Sequence, residues 1–144
     1  MQEAPVKVLL VGVDIGEEAD FEHSMEELAS LAEAAEKEVV GQIVQRLDHV
    51  NKALYIGTGK VAEVRRLAEE RGAQEVVFDN SLTPSQVRNL GKELELTVID
   101  RTNLILDIFA IRAQTREAKL QVETARLQYL SLIHISEPTR RRGI

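Results

Sequence analysis

Cysteine is absent from the 144-residue chain, and so is tryptophan. The first absence excludes disulfides, thiolate nucleophiles and zinc–thiolate centres. Aromatic residues make up 3% of the chain, so its core must be built from Leu, Val, Ile and Ala, and the ring platforms that stack single-stranded bases are nearly missing. Three scattered histidines, His23, His49 and His134, make a poor basis for a histidine metal site. Long apolar runs are lacking too. Val8 to Val13, interrupted by Gly12, falls far short of the roughly 20 residues that a membrane helix needs. The opening MQEAPVKV has no basic region followed by an apolar run, so no secretory signal is read and a cytoplasmic address is expected. Positive charge is in deficit, with a net charge of −6. This opposes a broad nucleic-acid footprint but leaves room for a local basic patch.

What is present describes an ordinary globular protein: 44% hydrophobic, 29% charged, with 8 Gly and 3 Pro. The length suits one domain and excludes a multidomain enzyme. VKVLLVGV (Val6 to Val13) is a β-branched and Leu run, the pattern of a strand covered on both faces. Ser24 and Glu27 form an S-x-x-E capping box, and Leu28, Leu31, Ala32 and Ala35 recur at helical spacing, which predicts a helix over about Met25 to Lys37. Glu38 to Leu47 and Ala53 to Gly57 read as strands joined by the polar turn DHVNK. A helix is predicted over Gly59 to Arg71, stopped by Gly72. After a short strand, Glu75 to Asp79, the sequence Thr83-Pro84 with Gln86 signals a helix start; that helix ends near Leu94, before a last strand over Leu96 to Asp100. Alternation of this kind predicts an α/β domain with a mostly parallel sheet flanked by helices.

From Thr102 to Leu132 neither proline nor glycine occurs. Leu104, Ile108, Ile111, Ala118, Val122, Ala125, Tyr129 and Leu132 follow steps of four and three, with Thr115 filling the gap, and Leu106, Phe109, Ala113, Leu120 and Leu127 widen the stripe. The prediction is one long C-terminal helix of about 45 Å, whose apolar face needs a partner helix, either from a continuation of the chain or from a second copy. The remaining residues, 131–144, have no amphipathic period, and they carry three basic residues against one acid. A frayed terminus, non-native sequence and a basic arm for RNA are the readings open there. The expected divisions are therefore 1–100 for the α/β part, 101–130 for the helical arm and 131–144 for a non-native or disordered tail.

Two constellations could carry function. In IGTGK, the turn Gly57, Thr58, Gly59 and Lys60 would let backbone N–H groups and a lysine meet a nucleotide or another anion at a helix start. It departs from the P-loop pattern at Leu54, where a glycine is required, and at Val61, where a magnesium-binding hydroxyl is required. A tight strand-to-helix turn is the simpler reading. On the C-terminal helix, Arg112, Arg116, Lys119 and Arg126 share one flank at helical spacing, either as a solvated face or as a ridge meeting RNA phosphates. Asp14, Asp79 and Asp100 stand at strand ends, where turn and helix capping explains them better than a metal. Neither His23 nor His49 has a nucleophile arrangement beside it, so no catalytic residue is assigned.

YIGTGKVAEV (Tyr55 to Val64), VVFDNSLTPSQVRNL (Val76 to Leu90) and the block from Val98 to Leu130, above all Asp100 to Ala110 and Thr115 to Glu123, resemble the N-terminal domain of the HflX family of ribosome-associated GTPases. The likeness spans nearly all of Val8 to Leu130. It implies an α/β subdomain followed by an antiparallel helical hairpin that binds the large ribosomal subunit and its RNA, in a protein that splits stalled or idle ribosomes. GTP and magnesium are implied for a downstream domain and no cofactor for this one. By position, the GTGK turn is Gly57 to Lys60, and the basic residues of the arm are Arg112, Arg116, Lys119 and Arg126. The likeness stops at Leu130, where LSLIHISEPTR resembles a translated library adapter. A truncated chain with a non-native ending and no GTPase activity is therefore expected, open to self-association through its uncovered helix face.

Overall fold

The run Val8 to Val11 lies at the centre of the molecule with every side chain fully buried. Such two-sided burial is what a β-branched strand without polar alternation requires. The computed structural model describes residues 4–16, 20–113 and 116–135. In chain order its elements are β1 (Val6–Asp14), α1 (Phe21–Ala34), β2 (Lys37–Arg46), α2 (Thr58–Arg71), β3 (Glu75–Phe78), α3 (Pro84–Leu94), β4 (Thr97–Asp100), α4 (Arg101–Arg112) and α5 (Arg116–Ile135). The four strands form one sheet in the order β2-β1-β3-β4, with every pairing parallel.

The alternation of side chains along β1 divides the core in two. Leu9, Val11 and Val13 pack with Val61, Val64 and Ala68 of α2 and with Val87, Leu90 and Leu94 of α3. On the other face, Val8 and Leu10 meet Met25, Leu28 and Ala32 of α1 and Leu104 and Ile108 of α4. Each fully buried Leu, Val or Phe contributes roughly 1.5–3 kcal/mol relative to exposure. The α1 layer sits so close over β1 that a Cβ on Gly12 would run into Met25 Sδ and the Phe21 ring. In the β1–β2 pairing Val8 faces Val39 and Leu9 faces Gly41, which leaves Val40 as a bulge. Its carbonyl accepts from Arg71 Nη1 at 2.6 Å, so the unpaired group is satisfied from the end of α2.

Most element boundaries follow the sequence signals, with three corrections. The helix start at Thr83 has the full capping box, Gln86 N–H donating to Thr83 Oγ1 and Gln86 Oε1 accepting from Thr83 N–H. Gly72 ends α2 in the left-handed conformation at φ 71°. The first correction concerns α1, which begins a turn earlier than the Ser24–Glu27 box suggests. Asp20 is its N-cap, accepting from His23 N–H at 3.0 Å, and Ser24 lies inside the helix. The second is that Ala53 to Gly57 is not a strand. Asn51 and Tyr55 form an isolated bridge, Asn51 Oδ1 accepts from Ala53 and Leu54 N–H at 2.8 Å each, and Tyr55 is left-handed at φ 67°.

The third correction concerns the C-terminal rod. Two helices stand where one was expected: α4 ends at Arg112, Ala113 is extended at ψ 122°, and α5 begins at Arg116. Thr115, the polar member of the expected stripe, lies outside the described residues. Helix α5 turns back along α4 and touches α3. Its Arg126 reaches Asp107, and its Tyr129 lies within the field of Asp100, so the two helices run antiparallel. The half-buried side of α5 is Ala118, Val122, Ala125, Arg126 and Tyr129, most of the predicted stripe. A straight rod would leave that stripe in water. One break in the helix removes few backbone bonds and brings the stripe onto the protein. Leu120, Leu127 and Leu130 remain 60%, 58% and 49% exposed. The expected division at Leu130 is crossed by α5, which continues to Ile135; the rest of the expected tail, 136–144, lies outside the described residues.

Candidate nucleic-acid interface

The break after Arg112 changes the geometry of the basic flank. Arg112 is the last residue of α4, Arg116 the first of α5 and Lys119 stands one turn further on, so these three gather at the elbow between the helices instead of along one rod. All three are exposed, and none makes a salt bridge among the described residues. Glu117 is the acid in that first turn. Arg126 differs. It lies some two turns from Lys119, on the side of α5 that faces α4, with its Nη2 3.2 Å from Asp107 Oδ1. The other oxygen of Asp107 is 3.6 Å from Lys37 Nζ, which also pairs with Glu75 at 2.9 Å.

At the GTGK turn, Gly57 is the N-cap of α2 without a side-chain capping bond, and Thr58, Gly59 and Lys60 form the first turn. The Gly57 N–H donates to Gln45 Oε1 at 3.2 Å, and Lys60 Nζ pairs with Glu63 at 2.9 Å. The preceding loop is fastened to α3, with Gln86 Nε2 donating to the Lys52 carbonyl at 3.2 Å and Asn89 Nδ2 to that of Ala53 at 3.1 Å. The lysine charge and the first N–H of the turn thus have partners within the protein, which favours a structural turn over an anion cradle, although the segment before it is a loop and not the expected strand.

The strand-end carboxylates serve as caps and ties. Asp14 Oδ1 accepts from Gly16 N–H at 2.9 Å. Asp100, almost wholly buried, caps α4 by accepting from Asn103 N–H and also accepts from Leu82 N–H, both at 3.1 Å. The sheet changes direction between β1 and β3, where a parallel α/β sheet ordinarily opens a ligand crevice. Here Asn80 fills that place, its side chain donating to the Val13 carbonyl at 3.1 Å and accepting from the Val13 N–H at 3.0 Å. Beside it lies a cluster that the sequence reading missed. Asp79 accepts from Ser24 Oγ at 2.7 Å and from Arg101 Nε at 3.1 Å and Nη2, while Arg101 Nη1 reaches Glu27 at 2.8 Å. Burial works against the Arg101 charge, but the bonds and charges of Asp79 and Glu27 outweigh it and hold the pKa above its ordinary value. The only sequence signal was the Asp-Arg pair at 100–101, and nothing local shows that its partner stands 22 residues earlier.

A groove of about 810 Å³ lies between α1 and the end of β2, lined by Asp14, Asp20, Glu22 and Glu26 with Arg46. Its charge is of the wrong sign for a phosphate backbone. Among the described residues no helix is long and apolar enough to cross a membrane.

The sequence profile of the family described as "GTP-binding GTPase N-terminal" matches residues 22–110. The chain belongs to that family. Among the relatives of this family member, the GTPase HflX of Alkalihalophilus pseudofirmus is 52% identical over 124 residues, which is 85% of this chain and 29% of that protein. The GTPase HflX of Escherichia coli is 40% identical over 129 residues, 90% of this chain and 30% of that protein. The chain therefore spans about 30% of the length of these curated relatives. Among solved structures, a GTP-binding protein from the archaeon Sulfolobus solfataricus in complex with GDP matches with a TM-score of 0.71 at 29% identity, covering 90% of this chain and 39% of that one. These likenesses bear out the α/β architecture and the family read from the motifs between Tyr55 and Leu130.

Proposed function

We propose that this family member is a ribosome-binding domain of an HflX-type GTPase, docking on RNA of the large ribosomal subunit through the α4–α5 elbow. The observation that carries this reading is the gathering of Arg112, Arg116 and Lys119, exposed and without salt-bridge partners among the described residues, on a protein whose net charge is −6. A local basic cluster on an acidic body orients the molecule toward a polyanion and disfavours non-specific adhesion by its other faces. In this reading GTP hydrolysis, with its magnesium, and the splitting of stalled or idle ribosomes belong to the parts of the relatives that this chain does not match, and the setting is the cytoplasm.

Co-sedimentation with purified large subunits tests it. Three phosphate contacts predict that affinity falls about 20- to 40-fold between 50 and 200 mM salt. Replacing Arg112, Arg116 and Lys119 together by Ala should abolish most of that dependence. No co-sedimentation even at low salt discards the reading. Nucleotide binding at Gly57 to Lys60 is not favoured, and a nucleotide-induced thermal shift lost in Lys60→Ala would be needed to revive it. Self-association is a second reading, supported by the exposure of Leu120, Leu127 and Leu130. Light scattering that finds a monomer at high concentration removes it.

A further inference from the structure

We propose that Asp107 is a built-in competitor for RNA phosphate: it holds Arg126 in the unbound domain, and docking on RNA exchanges this carboxylate for a phosphodiester. The inference rests on the reading of the elbow as an RNA-binding surface and adds a regulation to it. A guanidinium offers the same fork of donors to a carboxylate and to a phosphate, so the two acceptors compete for one geometry.

Three observations carry the proposal. The first is the contrast within the arm, where Arg112, Arg116 and Lys119 are exposed while the Arg126 side chain, 39% exposed, is held at 3.2 Å by Asp107. The second is that Asp107 can release Arg126 without being left as a lone buried charge. Its side chain is 17% exposed, and Lys37 stands at 3.6 Å from its other oxygen. The third is the seating of α5. Its packing side is only half-buried, and the Tyr129 hydroxyl is enclosed there without a hydrogen-bond partner among the described residues, which opposes the docked position. With the Arg126 end of the pair 39% exposed and Lys37 left beside the carboxylate, a polyanion can take the guanidinium without stranding a lone charge.

The test uses the whole 144-residue chain with purified large ribosomal subunits at low salt, comparing wild type, Asp107→Asn, Arg126→Ala and the double variant. Glu70→Gln on the exposed side of α2 controls for the loss of one negative charge. Asp107→Asn should bind about two- to fivefold more tightly, the gain should vanish in the Arg126→Ala background, and Glu70→Gln should change nothing. If Asp107→Asn does not fold, as judged by its thermal melt, Asp107→Ser removes the same charge. A gain that survives without Arg126, or that Glu70→Gln reproduces, overturns the proposal by reducing it to general charge. Unchanged binding by Asp107→Asn together with weakened binding by Arg126→Ala overturns the competition while leaving the RNA reading standing. Absence of binding by every variant removes the RNA reading and this proposal with it.

Discussion

Replacing Arg101 by Met tests whether the carboxylate of Asp79 ties α4 to the end of the sheet. Asp79 is 6% exposed, and its donors are Ser24 Oγ and two nitrogens of Arg101. Arg101→Met leaves a buried charge with the Ser24 hydroxyl as its remaining donor. Breaking a buried ion pair from one side costs about 3–5 kcal/mol. The Arg101 side chain is 23% exposed, so water can reach the site and the lower end applies, about 3 kcal/mol. With a urea slope of about 2 kcal/mol/M, the unfolding midpoint should fall by about 1.5 M. The exposed pair Arg65–Glu95, with side chains 45% and 69% accessible, supplies the contrast. Arg65→Ala should cost no more than about 1 kcal/mol. The charge argument has a second consequence: adding Asp79→Asn to Arg101→Met should recover about 1–2 kcal/mol, because a neutral amide is cheaper to bury than an unpaired carboxylate. If Arg101→Met moves the midpoint no further than Arg65→Ala, or if the two substitutions add their losses, the reasoning is wrong.

Tyr129 gives a prediction whose sign is unusual for a deletion. Burial, with a smaller push from the Asp100 charge, raises its phenol from 10.0 to about 12. The folded pKa lies above the unfolded one, so this contribution is fully present below pH 10 and is lost as pH rises from 10 toward 12. Since the hydroxyl is enclosed without a partner among the described residues, Tyr129→Phe should leave stability at pH 8 unchanged or raise it by up to about 1 kcal/mol, and should flatten the alkaline loss in urea titrations. A clear loss at pH 8 would show that the hydroxyl has a stabilising partner. At the start of α3, Thr83→Ala removes the capping box and should cost about 1 kcal/mol, read as a lower melting temperature; an unchanged melt would mean that Pro84 and the packing of Val87 and Leu90 suffice.

The elements were legible wherever a local rule and burial agree. Val6 to Val13 reads as a central strand because a run covered on both faces needs no polar residue, and Thr83-Pro84 with Gln86 announces a helix start in side-chain chemistry complete within four residues. The expected strand at Ala53 to Gly57 failed because its short apolar run contributes to a loop fastened by Gln86 and Asn89, residues more than 30 positions away. Ser24 likewise carried a valid capping pattern, yet Asp20 took that role and the hydroxyl went to Asp79. The candidate site was half legible. Its residue types and helical spacing are in the sequence, but spacing alone put Arg112 and Arg126 on one rod.

The sequence by itself determined the layers of this protein, because the period of its apolar residues decides which faces must be buried whatever covers them. It determined the family as well, through the residues from Tyr55 to Leu130. Only the tertiary structure decided that the rod breaks after Arg112 and that α5 lies back on α4, bringing Arg126 against Asp107 and leaving three basic residues at the elbow. The reason is physical: no proline or glycine marks the bend, and what favours it is the burial of a stripe against α4, the helix just before it, and against α3.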